Sequence, residues 1–202
     1  MTRTVGIYIF DEIEVLDLGG PFEVFSTASR MKARLSSGAA KPFEVFTIAD
    51  TIRLVRARGG LMVQPNFDIT NHPAIYFFVI PGGVVTAELK RDAIIEWIAR
   101  TATKASLTAS VCTGAFLLAK AGLLRGKTIT THWEDIDDFH AMFPDIPVQG
   151  DQRRVDGGTV VTSAGISAGL DMSLHLVERL ESEELAVRTA RQMDYDWKRS
   201  PL

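Results

Sequence analysis

The sequence lacks most of the features that mark membrane, secreted and nucleic-acid-binding proteins. It has a single cysteine, Cys112, so no disulfide forms within the chain, and we expect a reducing, cytoplasmic environment. No apolar run approaches the ~18 residues that cross a bilayer, and the N-terminus reaches Asp11 too early for a signal peptide. The net charge is −3, and the densest basic stretch, residues 53–58, has only three arginines. We therefore expect neither a membrane nor a nucleic acid as a direct partner.

Cofactor motifs are also missing. No grouping of His, Cys, Asp and Glu has the spacing of a metal site, and neither a Gly-x-Gly-x-x-Gly pattern nor a P-loop lysine occurs. We expect no metal and no cofactor. The 202 residues are 46% hydrophobic and contain no linker or repeat, which predicts one domain over residues 1–202.

Strand-like and helix-like segments alternate along the chain, which predicts an α/β fold with a mainly parallel sheet. A glycine pair at residues 59–60 predicts a β-hairpin beside that sheet, and Ser182 is the expected N-cap of the last helix. The predicted strands are residues 4–10, 43–48, 75–80, 106–111, 127–130 and 159–163. The predicted helices are residues 20–31, 92–103, 114–124, a segment from about residue 133, 168–180 and 182–195.

Glycines follow several of the predicted strands. Ligands of open parallel sheets bind at the carboxyl ends of the strands, so we expect these glycines to line a binding crevice. The glycines concerned are Gly19, Gly20, Gly82, Gly83, Gly114, Gly165 and Gly169.

Cys112 stands where a buried strand gives way to a helix, the position of a nucleophile in many α/β enzymes. Amides of the first helical turn would favour its thiolate. With the amide of Thr113, an amide of Gly82 or Gly83 would form a pocket with two donors for a developing anion. The alternative for Cys112 is a small buried hydrophobe.

A cysteine nucleophile needs a proton acceptor, and Asp17 is the best candidate among its predicted neighbours. Its apolar flanks predict partial burial, which would raise its pKa and let it hold a proton. Helix capping is the alternative role for Asp17. His132 either reaches the crevice or caps a helix. The other acids of this edge, Asp11, Glu12 and Glu14, are expected to be solvated, and His72, His140 and His175 to be structural.

Six motifs occur in one order along the chain: VLDLGGP at residues 15–21, IPGG at 80–83, SVCTG at 110–114, AGLLRG at 121–126, TTHW at 130–133 and GISAGLD at 165–171. Together they closely resemble the ThiJ/PfpI family over residues 5–195. Within that family they resemble the isocyanide hydratase-like branch, and they also occur in the sensor domains of AraC-type regulators.

The resemblance implies a flavodoxin-like three-layer sandwich, usually a homodimer, with Cys112 in a nucleophile elbow. It further implies hydration of an isocyanide to an N-substituted formamide, with Cys112 attacking the terminal carbon and Asp17 acting as general acid and base. Backbone amides of Gly83 and Thr113 would orient substrate or water. The wider set of expected substrate-binding residues is Gly82, Gly83, Gly114, His132 and Ile166.

The sequence departs from relatives of this family at three places. Residues 84–86 read Val-Val-Thr where the hydratases continue with Thr-Gly, so the loop facing the substrate differs. Thr113 replaces the histidine that follows the cysteine in peptidase-like members, so that triad is not expected. The chain ends soon after Tyr195, and no helix-turn-helix module is expected.

Three functions remain open. The first is a cysteine-dependent hydratase or hydrolase of a small, apolar, uncharged molecule. The second is a domain that senses a ligand without turning it over. The third is a stress protein whose cysteine oxidises to sulfinate or detoxifies glyoxals. We favour the first, because a thiol paired with a carboxyl group satisfies the pattern of nucleophile plus general acid.

Overall fold

The fold is taken from a computed structural model that describes residues 1–35, 38 and 40–199. Its strands are β1 Arg3–Tyr8, β2 Phe43–Ala49, β3 Val55–Arg56, β4 Met62–Val63, β5 Phe67–Asp68, β6 Phe77–Ile80, β7 Leu107–Val111, β8 Arg154–Asp156 and β9 Val160–Ser163. Its α-helices are α1 Val15–Leu35, α2 Asp92–Lys104, α3 Gly114–Lys120, α4 Ile136–Met142, α5 Ala168–Leu180 and α6 Glu183–Gln192.

Seven of the strands form one sheet in the order β5-β2-β1-β6-β7-β9-β8. Every pair of neighbours is parallel except β8 with β9, which confirms the prediction of a mainly parallel sheet. Strands β3 and β4 form the predicted hairpin outside the sheet. The sequence pattern missed β5 and β8, which have two and three residues and are too short for a recognisable period.

Two neighbouring phenylalanines of β6 show why the fold has three layers. Successive side chains of a strand point to opposite faces. Phe77 therefore packs on Phe25 of α1, with ring centroids 5.2 Å apart, and Phe78 packs on Trp97 of α2 at 5.3 Å. Helices cover both faces of the buried sheet, and the flavodoxin-like α/β sandwich is confirmed.

Helix α1 begins at Val15, five residues earlier than predicted. Gly19, Gly20 and Pro21 argue against a helix there by propensity, because glycine costs conformational entropy and proline has no N–H to donate. Burial of this face prevails: Gly20 packs on Leu170 of α5, at a distance that leaves just enough space for its missing Cβ. The prediction that Gly19 and Gly20 line the crevice after a strand is therefore wrong.

Two further boundaries differ from the predictions. The strand predicted at residues 127–130 is only an isolated bridge between Ile129 and Val148. Helix α3 ends at Lys120 rather than at residue 124, and the turns that follow contain Gly122 with φ +77° and Gly126 with φ +69°. These left-handed conformations suit glycine and cannot continue a helix.

The last two helices lie where the sequence pattern predicts them, although α6 ends at Gln192, three residues before the predicted end. Helix α5 has the predicted bounds, and Ser182 caps α6 by accepting a hydrogen bond from the Leu185 amide at 3.2 Å. Within the part of the chain that the structure describes, no helix is both long and apolar enough to span a bilayer.

Candidate active site

Cys112 lies in a strained turn between β7 and α3. Its φ is +56°, a left-handed conformation that costs free energy for a residue with a side chain. The turn is forced because Cys112 follows the end of β7 directly and Gly114 already begins the helix. This geometry is that of the predicted elbow, with the side chain held at the carboxyl edge of the sheet.

Gly114 allows the elbow to pack tightly against β6. A Cβ on Gly114 would lie 2.1 Å from the carbonyl oxygen of Ile80, and this neighbour is backbone that cannot rotate away. The residue predicted to bind substrate thus has a packing role, since its lack of a side chain lets α3 approach the end of β6.

We expect Gly114→Ala to destabilise the protein by about 1–3 kcal/mol or more, because the added methyl group overlaps the Ile80 carbonyl. The matched control is Gly19→Ala. Gly19 lies within α1 with nothing near its missing Cβ, so alanine there is expected to stabilise by roughly 0.5–1 kcal/mol. Urea denaturation of both variants measures the difference, and equal midpoints would contradict the packing argument.

Asp17 is fully buried in the first turn of α1. Its Oδ2 accepts a hydrogen bond from the Gly82 amide at 3.0 Å, whereas Oδ1 is buried with no partner among the described residues. Burial raises the pKa of Asp17 to about 7, although the Gly82 amide, the Cys112 thiol and the Ile166 amide act against the shift. A carboxyl group with that pKa both accepts and returns a proton near neutral pH, as predicted from its apolar flanks.

The Cys112 thiol is protonated at rest. Burial raises its pKa to about 12, the negative charge of Asp17 adds to the shift, and hydrogen bonds with Thr113 oppose it. The Thr113 amide does lower the pKa of the thiol, as expected of an amide in the first helical turn, but desolvation outweighs it, so the resting group is the thiol and not the thiolate. Cys112 and Asp17 form a coupled pair in which the thiol proton has a buried acceptor beside it.

The donor that was expected from Gly82 or Gly83, to act with the Thr113 amide, is already used by the protein in both residues. The Gly82 amide donates to Asp17, and the Gly83 amide donates to Thr113 Oγ1 at 2.9 Å. The Thr113 hydroxyl donates in turn to the Gly83 carbonyl at 2.9 Å. These contacts join the elbow to the loop after β6. They differ from the predicted anion pocket, because neither glycine amide is left for a substrate.

Cys112 opens into a cleft of about 680 Å³. Its apolar wall comes from two valines after β6, from one side chain in each of three helical segments, and from the turn between β9 and α5: Val84, Val85, Leu89, Phe116, Met142 and Ile166. Gly83 and Thr113 also line it, whereas Asp17, Gly82 and Gly114 do not. Ile166 has φ +53°, so a second strained turn lines the cleft.

His132 lines the same cleft, which was the first of the two positions predicted for it. It also stands at the N-cap of the short helix Trp133–Asp135, but its side chain makes no capping bond there. The other histidines lie elsewhere: His72 contacts Trp97, His175 contacts Asp156 at 2.7 Å, and His140 is exposed on α4.

Sequence reasoning missed part of the cleft. Glu14, expected to be solvated, is half-buried, lines the cleft and lies 3.6 Å from Arg58 of the hairpin turn. Lys90 and Lys120 also line the cleft and add positive charge to it. No periodicity marks these residues, because three separate segments bring them together. Among the described residues, no three His, Cys, Asp or Glu side chains are grouped to hold a metal ion.

Fold and site together define an α/β sandwich protein that holds a cysteine at the elbow after a central strand, beside a buried carboxyl group. The DJ-1/PfpI family profile matches residues 3–179 of this chain, and the chain therefore belongs to the DJ-1/PfpI family. The resemblance inferred from the six motifs is confirmed.

Individual relatives include an enzyme and a regulator. The chain is 30% identical to an isonitrile hydratase of Pseudomonas putida, over 96% of this chain and 79% of the relative. It is 26% identical to the HTH-type transcriptional regulator GbdR of Pseudomonas aeruginosa over 96% of its length, and spans about half (51%) of that regulator.

Solved structures agree with the family assignment. A ThiJ/PfpI family protein from Pseudomonas syringae superposes with a TM-score of 0.84 at 25% identity, covering 100% of this chain and 78% of that one. DJ-1beta of Drosophila melanogaster superposes with a TM-score of 0.80 at 16% identity, over 98% of this chain and 100% of its own, which shows the shared fold.

Proposed function

We propose that this chain is a cysteine-dependent hydratase that adds water to an isocyanide and releases an N-substituted formamide. The observation that carries the proposal is a pair of groups, the protonated thiol of Cys112, which lines the cleft, and the carboxyl group of Asp17, which is buried behind it. The isonitrile hydratase relative supports the choice of substrate class. We also propose that residues 1–202 form a single domain.

The first step uses the pair directly. The sulfur of Cys112 bonds to the terminal carbon of the isocyanide while the thiol proton passes to Asp17, which then delivers it to that carbon. The product is a thioimidate, R–N=CH–S–Cys. A thiol with a pKa of about 12 is a poor nucleophile by itself, so the adjacent carboxylate acts as the general base.

The second step restores the enzyme. Water adds to the thioimidate carbon and the nitrogen gains a proton, which gives R–NH–CH(OH)–S–Cys. Collapse of this intermediate breaks the C–S bond, releases the formamide R–NH–CHO and returns the proton to sulfur. Overall, one water is added to one isocyanide.

The cleft suits a neutral substrate with an apolar substituent. Leu89, Phe116 and Met142 provide an apolar surface beside Cys112. Burial of apolar area is worth roughly 25 cal/mol per Å², so a hydrocarbon substituent gains binding free energy from this wall. An isocyanide carries no net charge and loses little hydration on entering.

Relatives among transcriptional regulators support a second candidate, a domain that binds a metabolite in the same cleft without turnover. The supporting observation is the 26% identity to GbdR across nearly the whole chain. Under this alternative Cys112 contacts the ligand without forming a product.

A homodimer is part of the proposal. Several large apolar side chains of the hairpin region are half exposed, and a second copy of the chain would cover them: Ile52, Leu54, Leu61 and Met62. Burial of such side chains against a symmetric partner is a common stabilising arrangement.

Turnover of an isocyanide tests the proposed function. We expect the protein to convert cyclohexyl isocyanide to N-cyclohexylformamide, measured by liquid chromatography and mass spectrometry. A sample whose thiol has been blocked with iodoacetamide is the control and is expected to form no product. If unblocked protein also forms none, while Cys112 still reacts with iodoacetamide, the hydratase proposal fails and the sensing role is favoured.

A further inference from the structure

Asp171 is a buried acid that the proposed mechanism does not use. It lies in the first turn of α5, as the last residue of the GISAGLD motif, and its side chain is fully buried. A buried carboxylate costs free energy unless nearby donors satisfy it. The same motif contains Ile166, which lines the cleft, so Asp171 is close in sequence to the cleft wall.

The two carboxylate oxygens of Asp171 bind different parts of the chain. Oδ2 accepts a hydrogen bond from Nε of Arg153 at 2.6 Å and also contacts Nη2 of the same guanidinium. Oδ1 accepts hydrogen bonds from the Tyr195 hydroxyl at 3.1 Å and from the Lys198 amide at 2.8 Å. One oxygen thus orients an arginine, whereas the other holds the segment that follows α6.

Arg153 contacts the Ile166 turn, residues 164–167, on both sides of Ile166. Its carbonyl oxygen accepts a hydrogen bond from the Ala164 amide at 3.0 Å, and its Nη2 donates to the Ser167 hydroxyl at 3.3 Å. Ile166 has φ +53°, and a strained conformation of this kind persists only where the surrounding structure holds it. Arg153 therefore supplies two of the contacts that hold the turn, and one of them comes from the guanidinium that Asp171 orients.

The Ile166 turn lies close to Asp17. The Ile166 amide is near enough to lower the pKa of Asp17, as the Gly82 amide does through its hydrogen bond. Oδ1 of Asp17 has no hydrogen-bond partner among the described residues, so the ionised carboxyl group depends on the few amide dipoles that the fold places near it. A displaced Ile166 turn would remove one of these dipoles.

We propose that Asp171 is a positioning residue of this site: it orients the Arg153 guanidinium, which holds the Ile166 turn so that the Ile166 amide stays beside the carboxyl group of Asp17. In this role Asp171 acts only through Arg153. Its effect on turnover rests on the proposed function, whereas its effect on Asp17 does not.

Anchoring of the C-terminal segment is the competing role for Asp171, because Tyr195 and the Lys198 amide bind Oδ1. That segment has a second anchor, since Arg199 donates to Glu183 at 2.8 Å. The two oxygens allow the roles to be separated. Arg153→Gln removes the cation at Oδ2, whereas Tyr195→Phe removes only a donor at Oδ1.

The titration of Asp17 tests the proposal. Protein is labelled with isotope-enriched aspartate and followed by carbon NMR, and the Asp17 carboxyl signal is identified by its absence in Asp17→Asn. The wild-type midpoint is expected near the pKa of about 7. In Arg153→Gln and in Asp171→Asn we expect the midpoint to rise by about 0.5–1 unit, because the Ile166 amide no longer stabilises the carboxylate. Glu14 and Cys112, the charged and titratable neighbours of Asp17, are unchanged in both variants.

The double variant, Arg153→Gln with Asp171→Asn, is expected to show the same rise as either single variant, because Asp171 acts through Arg153. It replaces the ion pair by two amides and leaves no buried charge without a partner, so it serves if a single variant does not fold. Ser167→Ala keeps the ion pair and removes only its contact with the turn, and it is expected to give a smaller rise.

Two variants serve as matched controls. Tyr195→Phe removes a donor to Asp171 and leaves Arg153 bound, and Arg179→Gln removes an arginine of α5 that pairs with Asp156 outside the cleft. Both are expected to keep the wild-type midpoint. An unchanged or lowered midpoint in the double variant overturns the proposal, and so does an equal rise in Tyr195→Phe.

The outcomes also separate this inference from the proposed function. If the wild type forms no formamide but the midpoint of Asp17 rises in the variants, the hydratase proposal fails and the role of Asp171 stands. If the wild type turns over, the rising limb of kcat/KM is expected to move to higher pH in the variants by the same amount as the midpoint. Turnover in the wild type with an unchanged midpoint in the variants refutes only the role of Asp171.

Discussion

We expect Cys112→Ser to abolish the proposed formamide production, by ~10⁴-fold or more, while the chain keeps its fold. Serine has nearly the shape of cysteine, and Cys112 is only 6% exposed, so packing around the elbow changes little. Its hydroxyl proton is held much more tightly than that of a thiol, and oxygen is a weaker nucleophile toward the isocyanide carbon. Steady-state formamide production measures the loss, and circular dichroism checks the fold.

A neighbouring serine provides the control for this variant. Ser110 lies on the same strand two residues earlier and is fully buried, and its hydroxyl has no hydrogen-bond partner among the described residues. Ser110→Ala alters the strand without touching the thiol and is expected to keep turnover. Substantial activity in Cys112→Ser, with Ser110→Ala also active, would rule out Cys112 as the nucleophile.

We expect Asp17→Asn to lower the proposed turnover by ~10²-fold or more, because the amide cannot accept the thiol proton. The geometry is preserved, since the amide oxygen can still accept the hydrogen bond that the Gly82 amide donates. The charge of Asp17 raises the pKa of Cys112, so its removal lowers the pKa of the thiol. Alkylation of Cys112 by iodoacetamide is therefore expected to be no slower in this variant, although turnover is lost.

The pH dependence of turnover follows from the same carboxyl group. The wild-type kcat/KM is expected to rise with pH as Asp17 ionises through its pKa of about 7, then to level off, and Asp17→Asn is expected to lack this limb. Asp137→Asn removes an exposed carboxylate of α4 and serves as the control. If Asp17→Asn had wild-type activity, Asp17 would not be the general base, and helix capping would remain as its role.

Stability gives an independent readout of the buried acid. Folding raises the pKa of Asp17 from 3.8 to about 7, so the folded state favours the protonated form. This contribution is complete below pH ~4 and is lost as the pH rises through ~7, on the order of 4 kcal/mol in total. Urea denaturation of the wild type against Asp17→Asn across this range isolates the effect, and parallel curves would contradict the burial argument.

The sequence alone was sufficient to place Cys112 and Asp17 in one site. Buried strands alternating with helices imply a parallel sheet, and the carboxyl ends of parallel strands share one edge. The end of β7, which leads to Cys112, and the first turn of α1, which holds Asp17, therefore had to lie close together. The six motifs added the family, which the family profile confirmed.

Local propensity misjudged the segment that holds Asp17. The helix was predicted to begin only at Gly20, yet α1 begins at Val15 and includes Asp17 and Gly19. Contact with α5 stabilises the helix there, and no pattern within residues 15–21 reports that contact. Strand β5 was missed for a related reason. Its two residues are extended because they pair with β2, and two residues are too few to show a period in the sequence.

Periodicity and chain order dictate which ends of the strands meet, so the layered α/β fold, the elbow at Cys112 and the carboxyl group beside it could be predicted from the sequence. The protonation states of that pair and the hydrogen-bond partners of the Gly82 and Gly83 amides depend on tertiary packing instead. Burial raises both pKa values, and the amides of Gly82 and Gly83 bind the protein itself. Desolvation and hydrogen bonding depend on every atom packed around a group, and most of those atoms come from distant parts of the chain.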